Sequence, residues 1–360
     1  MEWKEVRLGD IATMQYGKLA PKKKDEGKVP IFTGYKNVGY TDKINCYKNT
    51  IVVVARGVGG CGDVKITNED CYLTNLAISV SLNEQICLPV FFYYLHQLEN
   101  LSILNSGSAQ PQITIESLTK YSFRIPSLED QRRIASILSS LDLKIELNNK
   151  INVDLEEMAQ AIFKNWFVDF EPFKDGKFVD SELGMIPEGW KVGCLGDIAE
   201  ITSGKRPPKK SKDKTKELFI PLIGASDIMG FTSDVLYERP ILVIGRVGTH
   251  GVVQRFQEKC WPSDNTLVIE SSYYNYVYQL LKGIDYSAIN RGSTQPLITQ
   301  TDVKNTDVII APENVLKEYE SITSTLFSKH RANIKENSRL STLRDTLLPR
   351  LMSGELEVPE

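Results

Sequence analysis

The sequence predicts an α+β protein with two similar mixed α/β domains, joined by two long helices that form an antiparallel, pseudo-two-fold symmetric coiled coil. Three observations support this prediction. Residues 3–12 recur at 190–199, and residues 107–114 recur at 292–299. Each copy then continues into a β-like run that ends in proline, followed by a polar segment with helical periodicity. The 360-residue chain is therefore one domain plus one helix, duplicated.

The repeat divides the chain into five parts. They are a first domain at 1–127, a central long helix at 128–170, a linker at 171–189, a second domain at 190–312 and a C-terminal long helix at 313–353.

Within each domain, a β-branched run predicts a buried strand. Residues 51–55 form this run in the first copy and end at Arg56, before a glycine-rich turn. Residues 241–248 take its place in the second copy, with Arg246 where Arg56 stood. Residues 88–95 open a helix with a proline at its start, and residues 273–281 are its counterpart.

The central helix carries a heptad seam. Apolar or small residues recur in it with alternating spacings of four and three, and two asparagines interrupt them near the middle. A helix over 128–167 would be about 60 Å long. The seam consists of Ile134, Leu138, Leu141, Ile145, Asn148, Asn152, Leu155, Ala159, Ile162 and Trp166, with Phe167 beside its end.

The C-terminal helix is more polar, and its seam is predicted at Tyr319, Ile322, Leu326, Ile334, Asn337, Leu340 and Leu347. Asn148 and Asn337 fall at matching places in the two copies. Either both asparagines are exposed, or they lie in the seam and set its register.

Composition excludes several classes of protein. The net charge is −3, and no run approaches the roughly 18 apolar residues of a membrane-spanning helix. The six cysteines form no Cys-x-x-Cys pair, and the three histidines (His96, His250 and His330) are too scattered for a zinc cluster. These features favour a cytoplasmic protein with free thiols, and no membrane association.

The sequence contains no credible catalytic constellation. Gly57, Gly59 and Gly62 match the dinucleotide-binding spacing, but the residues that follow are β-like instead of helical, so we treat the match as accidental. No phosphate-binding loop and no metalloprotease motif are present.

Basic and polar residues in loops of both copies are the candidates for nucleic-acid contact. A lysine-rich loop at 205–216 matches a smaller cluster after Gly17. The two arginines after the buried strands suit phosphate or guanine, while the residues around Pro111 and Pro296 either contact bases or simply join a helix to a strand. The candidates are Lys18, Lys22, Lys23, Lys24, Arg56, Ser108, Gln110, Gln112, Lys205, Arg206, Lys209, Lys210, Arg246, Ser293, Thr294 and Gln295.

The chain resembles the specificity subunit of type I restriction-modification systems, over nearly its whole length. The most specific strings are 129–135, the pattern Asp142-x-Lys144-Ile145-x-x-Asn148, and 160–170. Residues 184–190 and 347–356 are also similar to that family. The chain is short for the family, so its recognition domains are expected to be compact.

The resemblance implies a non-catalytic subunit that binds double-stranded DNA. Each target-recognition domain would recognise one half of a bipartite, asymmetric site, and the helix pair would set the spacer. The helices would also dock two methyltransferase subunits, and motor-nuclease subunits would join them. S-adenosylmethionine, ATP and Mg would be bound by those partners, and this chain would bind no cofactor. The helix residues assigned to docking and spacing are Ile134, Leu138, Leu141, Ile145, Asn148, Leu155, Trp166, Phe167 and Asn337.

Two alternatives come from other classes. One is a protein–protein scaffold that binds two copies of a partner without touching DNA. The other is an enzyme with an unrecognised site.

Overall fold

The structure is a computed structural model that describes residues 2–57, 60–106, 111–248, 251–292 and 297–358. Contacts divide the chain into two units, Met1–Asn149 with Ile334–Glu360, and Lys150–Asn333. Each unit therefore contains one mixed α/β domain and a segment of each long helix. The division falls inside the long helices and not at the predicted domain ends.

The elements of unit 1 follow one another as β1 Lys4–Arg7, α1 Leu8–Ile11, β2 Ala12–Tyr16, β3 Val29–Phe32, β4 Asn37–Thr41, β5 Ile51–Val54, β6 Val64–Ile66, β7 Tyr72–Leu73, β8 Ala77–Leu82, α2 Pro89–Leu98, a 3₁₀ turn Leu101–Leu104, α3 Ile115–Lys120, β9 Ser122–Ile125 and the long helix α4 Leu128–Phe167, which continues into unit 2.

Three sheets form the first domain. A four-stranded antiparallel sheet has the order β2-β8-β5-β6, a three-stranded sheet has the order β4-β3-β7, and β1 pairs with β9. In the three-stranded sheet β3 is antiparallel to β4 and parallel to β7. The next element after β5 is the strand β6, as the β-like sequence predicted, whereas the dinucleotide-binding motif would require a helix there.

The strand β5 is buried on both faces, and this explains its uninterrupted apolar sequence. Ile51 and Val53 point into the main core, with α2 and the start of α4. Val52 points the other way, into a small cluster with Leu73 and Ala77 that the three-stranded sheet covers.

The elements of the remaining chain are β10 Phe178–Val179, β11 Ile186–Pro187, β12 Lys191–Cys194, a 3₁₀ turn Leu195–Asp197, β13 Glu200–Ser203, β14 Ile220–Ile223, β15 Ile228–Thr232, β16 Ile241–Gly245, β17 Val253–Phe256, β18 Trp261–Pro262, β19 Thr266–Glu270, α5 Tyr274–Gly283, α6 Gln300–Lys304, β20 Asp307–Ile310 and the long helix α7 Glu313–Met352.

The second domain repeats the sheets of the first. Its four-stranded sheet has the order β13-β19-β16-β17, its three-stranded sheet has the order β15-β14-β18, and β12 pairs with β20. Here β16 takes the place of β5: Leu242 and Ile244 lie in the main core, whereas Ile241 and Val243 face a second, smaller cluster. The fold is therefore α+β, with two similar domains that share one topology.

In unit 1 the predicted seam of α4 is buried against the domain and the end of α7. Ile134 and Leu138 are both 0% exposed and share a core cluster with Leu351. Leu141 and Ile145, the next two seam positions, are half-buried.

The two helix segments of unit 1 run antiparallel. Asp142 accepts a hydrogen bond from Nη1 of Arg344 (2.6 Å), and Nδ2 of Asn148 donates to Oδ1 of Asn337 (2.9 Å) and to Glu336 (2.9 Å). The residue numbers of the α7 partners therefore decrease as the residue numbers in α4 increase. Asn148 is 0% exposed, so it lies in the seam, as one of the two predictions held.

The helix segments of unit 2 are antiparallel as well. Nδ2 of Asn333 donates to Oδ1 of Asn152 (2.9 Å), and Ala159, fully buried, shares a cluster with Phe327. Leu155 lies half-buried between these two contacts.

Aromatic rings close the end of the seam in unit 2. The centroid of Phe167 lies 5.0 Å from Tyr319 and 5.7 Å from Trp190, and Trp166 lies 6.1 Å from Tyr319. The repeated tryptophan at the start of the second domain therefore packs on the end of α4.

The seam predicted for α7 is partly wrong. Ile322 and Ile334 are 41% and 52% exposed, whereas Thr323 and Asn333 are 0% and 1% exposed. A pattern of apolar residues does not indicate these two buried polar positions. The hydroxyl of Thr323 is satisfied within its own helix, because it donates to the Tyr319 carbonyl.

The asparagine repeat also differs from the prediction. Both long helices have 40 residues, and counting from their first residues matches Asn148 with Asn333 and Asn152 with Asn337. The structure agrees, since Asn148 and Asn333 are the donors and Asn337 and Asn152 the acceptors. The seam thus contains one asparagine pair in each unit: Asn152 and Asn333 are both buried, whereas buried Asn148 pairs with half-buried Asn337. No helix in the described ranges is long and apolar enough to cross a membrane.

Candidate nucleic-acid interface

Arg56 extends β5 into the following turn, and its backbone is held at both ends. Its N–H donates to the Leu76 carbonyl (3.1 Å), and its carbonyl accepts from the Tyr35 hydroxyl (3.1 Å). Gly57 follows at φ = +128°, where a Cβ would lie 2.4 Å from the Tyr35 oxygen. The Arg56 side chain is exposed. The fold therefore presents a guanidinium from a fixed backbone, which suits bidentate contact with phosphate or guanine.

Backbone hydrogen bonds place two other candidates, Lys18 and Gln112, close to Arg56. The carbonyl of Lys18 accepts a hydrogen bond from the N–H of Asn75 (2.9 Å). The next residue, Leu76, accepts the hydrogen bond from the N–H of Arg56. Gln112 pairs with Arg56 in an isolated antiparallel bridge. The structure thus brings Lys18, Arg56 and Gln112 together at one edge of the first domain.

The other lysines of the first domain lie on an exposed loop between β2 and β3. Lys22, Lys23 and Lys24 are all exposed. The ammonium of Lys24 pairs with Asp42, so its charge is partly neutralised. The side chain of Lys23 lies against Gly39.

Lys205 is the structural counterpart of Lys18. Its N–H donates to the Pro262 carbonyl (3.0 Å) just as that of Lys18 donates to the Leu73 carbonyl (3.0 Å), and the indole of Trp261 donates to the Lys205 carbonyl (2.7 Å). Beyond it, the loop is anchored where Ser211 forms a bridge with β15. The basic side chains of this loop are exposed: Lys205, Arg206, Lys209, Lys210, Lys212, Lys214 and Lys216.

Arg246 is not the counterpart of Arg56. The bridge between Arg56 and Gln112 has its equivalent in unit 2 between Val247 and Leu297. Arg246 lies one residue earlier, at the position that an alanine occupies in unit 1, and it is half-buried. The two domains therefore present different side chains from equivalent backbone positions.

The last two residues of the repeated Gln-Pro motif have a structural role. Its isoleucine is fully buried in both copies, and its threonine caps the following short helix through a capping box. These residues are Ile113 and Thr114 in the first copy and Ile298 and Thr299 in the second. The polar candidates Ser108, Gln110, Ser293, Thr294 and Gln295 lie outside the described residues, so their proposed contact with DNA stays a prediction.

Two asparagines that the sequence reasoning missed hold this motif in place. Oδ1 of Asn105 accepts from the N–H of Gln112 (2.7 Å), and Oδ1 of Asn290 accepts from the N–H of Leu297 (2.9 Å). Each asparagine lies two residues before the glycine that begins the repeated motif. The asparagine is therefore part of the repeat and can be recognised from the sequence.

Two polar residues of the long helices were also missed: Gln131 is fully buried and Glu320 is half-buried. Gln131 of α4 accepts from the N–H of Leu88 (2.9 Å), at the start of α2. Glu320 of α7 accepts from the N–H groups of Asn275 and Tyr276 (2.8 Å each), at the start of α5. Burial raises the pKa of Glu320 to about 7. Each side chain fastens a long helix to its domain.

The described residues show no catalytic group. None of them forms a cluster of His, Cys, Asp and Glu that could hold a metal ion. His96 is buried and bonded to the Phe92 carbonyl (2.8 Å), and burial lowers its pKa to about 4. His330 lies 4.0 Å from Glu156 on the helix pair, and His250 is outside the described ranges. The site consists of exposed basic and polar groups, which suit binding more than catalysis.

Comparison with known proteins agrees with this arrangement. Residues 1–157 and 187–339 match the family described as type I restriction modification DNA specificity domain. The chain is 33% identical over 302 residues to the specificity subunit of the type I restriction enzyme MjaIX from Methanocaldococcus jannaschii, covering 75% of this chain and 69% of that one. It is 25% identical over 366 residues to the HindI specificity subunit from Haemophilus influenzae, covering 76% and 79%.

The fold has also been observed in a crystal. The S subunit of a type I restriction-modification system from M. genitalium superposes with a TM-score of 0.71 at 20% identity, over 100% of this chain and 96% of that one. Together with the match to the family in both repeats, these similarities show that the chain belongs to the type I restriction-modification specificity subunits, which are non-catalytic.

Proposed function

We propose that this chain gives a type I restriction-modification complex its DNA sequence specificity by binding a bipartite, asymmetric site. Each domain recognises one half of the site. The paired long helices set the length of the spacer and dock two methyltransferase subunits.

One observation carries this proposal. The two domains share sheets, backbone hydrogen bonds and the position of one lysine, Lys18 or Lys205. At the same edge, however, Arg56 and Gln112 of the first domain are replaced by Val247 and Leu297. Because base recognition depends on the side chains that a rigid backbone presents, two such domains suit two different short sequences.

The long helices support the second part of the proposal. Leu143 and Leu147 of α4 are 62% and 52% exposed in unit 1, and Val153 and Met158 are 57% and 51% exposed in unit 2. Apolar side chains that face away from the seam suit a protein partner. The methyltransferase subunits are the partners that the helices would dock.

The remaining assignments follow from the same role. Motor-nuclease subunits would bind the complex for restriction. S-adenosylmethionine, ATP and Mg would be bound by the partner subunits, with none bound by this chain. The complex would act on double-stranded DNA in the cytoplasm, without a membrane.

Methylome sequencing tests the proposal. A host that expresses this chain with its methyltransferase is expected to carry methylated adenine in one bipartite motif, and the motif should disappear when the gene for this chain is deleted. Methylation that persists without the chain would refute the proposal. Co-purification with the methyltransferase but no motif would favour the protein–protein scaffold.

A further inference from the structure

Two cysteines face each other in the first domain. Cys46 and Cys71 form an isolated antiparallel bridge, in which the N–H of Cys46 donates to the Cys71 carbonyl (3.1 Å) and the N–H of Cys71 donates to the Cys46 carbonyl (2.8 Å). Residues that exchange both bonds have Cα atoms about 5.5 Å apart. Disulfides span Cα distances of roughly 4.4 to 6.8 Å, so this pair is within bonding range.

The two thiols are buried beside a cavity. Each cysteine is 3% exposed, in the small cluster with Val52 and Leu73. Cys71 also lines a cavity of about 320 Å³, together with Phe32 and eight further residues of β3, β4, β6 and the β3–β4 and β6–β7 connections. The cavity has room for a molecule as small as a hydroperoxide, and Cys71 is the member of the pair that lines it.

The two thiols also differ in acidity. The thiols hydrogen-bond to each other, and this bond holds the pKa of Cys46 below its usual value. The same bond, together with burial, raises the pKa of Cys71. Cys46 is therefore the better thiolate nucleophile, and Cys71 the facing thiol.

The second domain contains the same bridge without the pair. Cys260 exchanges both backbone hydrogen bonds with Tyr237 (3.1 and 3.0 Å), so Tyr237 stands where Cys46 stands. The fold therefore does not need a cysteine at that position. No other bridge in the described residues joins two cysteines.

We propose that Cys46 and Cys71 are a reversible oxidation site, which closes to a disulfide on reaction with a hydroperoxide. The Cys46 thiolate attacks one peroxide oxygen. The S–O bond forms and the O–O bond breaks; with hydrogen peroxide, the hydroxide that leaves takes up the proton released by the Cys46 thiol and becomes water. Cys71 then attacks the sulfenic sulfur, the S–S bond forms, and the S–O bond breaks to release a second water. Two thiols lose two electrons, which reduce the peroxide.

The geometry makes the bond easy to reduce again. Opposite Cβ atoms in a sheet are about 4.5 to 5.5 Å apart, whereas a disulfide requires roughly 3.5 to 4.5 Å. Closing the bond therefore draws the two segments together and strains it, and strained disulfides are the readily reduced ones. A reducing cytoplasm would return the pair to thiols by exchange with a dithiol.

Oxidation would alter a surface of the first domain alone. Cys46 lies in the segment between β4 and β5, in which Ile44 and Tyr47 are 46% and 68% exposed. A disulfide to Cys71 would fix this segment. If the proposed function holds, on which this consequence rests, oxidation would change affinity for the first half-site and leave the second unchanged.

Peptide mapping tests the site without reference to DNA. The full chain is treated with hydrogen peroxide, quenched in acid and alkylated under denaturing conditions. Two fewer cysteines should be alkylated than in the reduced chain, a linked peptide pair containing Cys46 and Cys71 should appear, and dithiothreitol should reverse both changes. Cys71→Ala should abolish the link, while Cys260 should stay alkylated.

A second variant tests the geometry by gain of function. Tyr237→Cys places a thiol opposite Cys260, and this variant should acquire a second peroxide-dependent link. The proposal is overturned if Cys46 and Cys71 stay reduced while the more exposed Cys194 is oxidised, or if they become sulfinic acids without a link. A link that forms without any change in half-site affinity would refute only the consequence for DNA binding.

Discussion

We expect Glu320 to make the stability of the second unit depend on pH, and Glu320→Gln to remove this contribution. Both N–H groups at the start of α5 bond to a single oxygen, Oε1, of Glu320. An amide can retain this oxygen while removing the charge. In unit 1 a glutamine already does similar work, since Gln131 bonds the start of α2.

The size and sign of the effect follow from the pKa. Burial raises the pKa of Glu320 from 4.5 to about 7, although the bonds from Tyr276 and Asn275 and the nearby Arg255 oppose the rise. Below pH 4.5 the carboxyl is protonated in the folded and the unfolded chain. Between the two values only the unfolded chain ionises, so stability falls as pH rises, by at most about 3 kcal/mol at roughly 1.4 kcal/mol per pH unit.

Urea unfolding at a series of pH values measures this effect. Three of the four tryptophans, Trp166, Trp190 and Trp261, belong to unit 2, so their fluorescence reports its unfolding. The difference in unfolding free energy between Glu320→Gln and the wild type should be near zero at about pH 4.5 and should grow to about 2–3 kcal/mol in favour of the variant by about pH 8. Taking the difference cancels the histidines and other groups that the two proteins share.

Glu318→Gln is the matched control, because it removes the same charge from an exposed position two residues away. It should leave the unfolding free energy unchanged at every pH. A difference for Glu320→Gln that is flat with pH, or a variant that loses stability as pH rises, would refute the reasoning.

The other predictions concern DNA and the helix pair. Arg56→Ala should weaken binding of the assembled complex to its methylated motif by about 1–3 kcal/mol in fluorescence anisotropy, and an unchanged affinity would assign Arg56 to structure. Asn148→Ala should lower the unfolding free energy by about 1–2 kcal/mol through loss of its buried bonds, whereas Asn165→Ala, exposed on the same helix, should not. Inserting one helical turn in each long helix beside the Asn148–Asn337 pair adds about 5.4 Å, or about one to two base pairs, and should lengthen the spacer in the methylome while both half-sites persist. Altered half-sites would contradict the assignment of the helices to spacing.

Local sequence patterns were sufficient to predict much of the architecture. The buried strand β5 has apolar residues on both faces, and the seam of α4 repeats apolar residues at regular spacing, so both were recognisable. The repeated Trp-Lys and Gln-Pro strings predicted two similar domains. The same repeat matched the loop at 205–216 with the cluster after Gly17, and the equivalent backbone hydrogen bonds of Lys18 and Lys205 agree with this match.

Features that depend on contacts between distant residues could not be predicted in the same way. Asn333 is buried where it bonds to Asn152 of the other long helix, and Thr323 is buried as well, but neither residue type indicates burial by itself. Gln131 and Glu320 bond to residues more than 40 positions away. Exposed and buried polar residues look alike in a sequence.

The position of Arg246 was misjudged for a different reason. With an offset of 190, residues 51–56 and 241–246 are identical at three of six positions, including Arg56 and Arg246, so the sequence favours aligning the two arginines. Strand pairing shows otherwise, because Val54 pairs with Ala77 and Gly245 pairs with Thr266, which displaces the second strand by one residue. Such a shift changes which face of the strand a side chain occupies.

The exchange of one domain tests the central claim most directly. Residues 190–312 are replaced by the corresponding domain of a relative with a different recognition sequence, and the methylome of the host is sequenced. The account predicts a bipartite motif in which one half-site has changed while the other half-site and the spacer remain. A motif in which both halves change, or neither does, would contradict the claim that each domain recognises its own half.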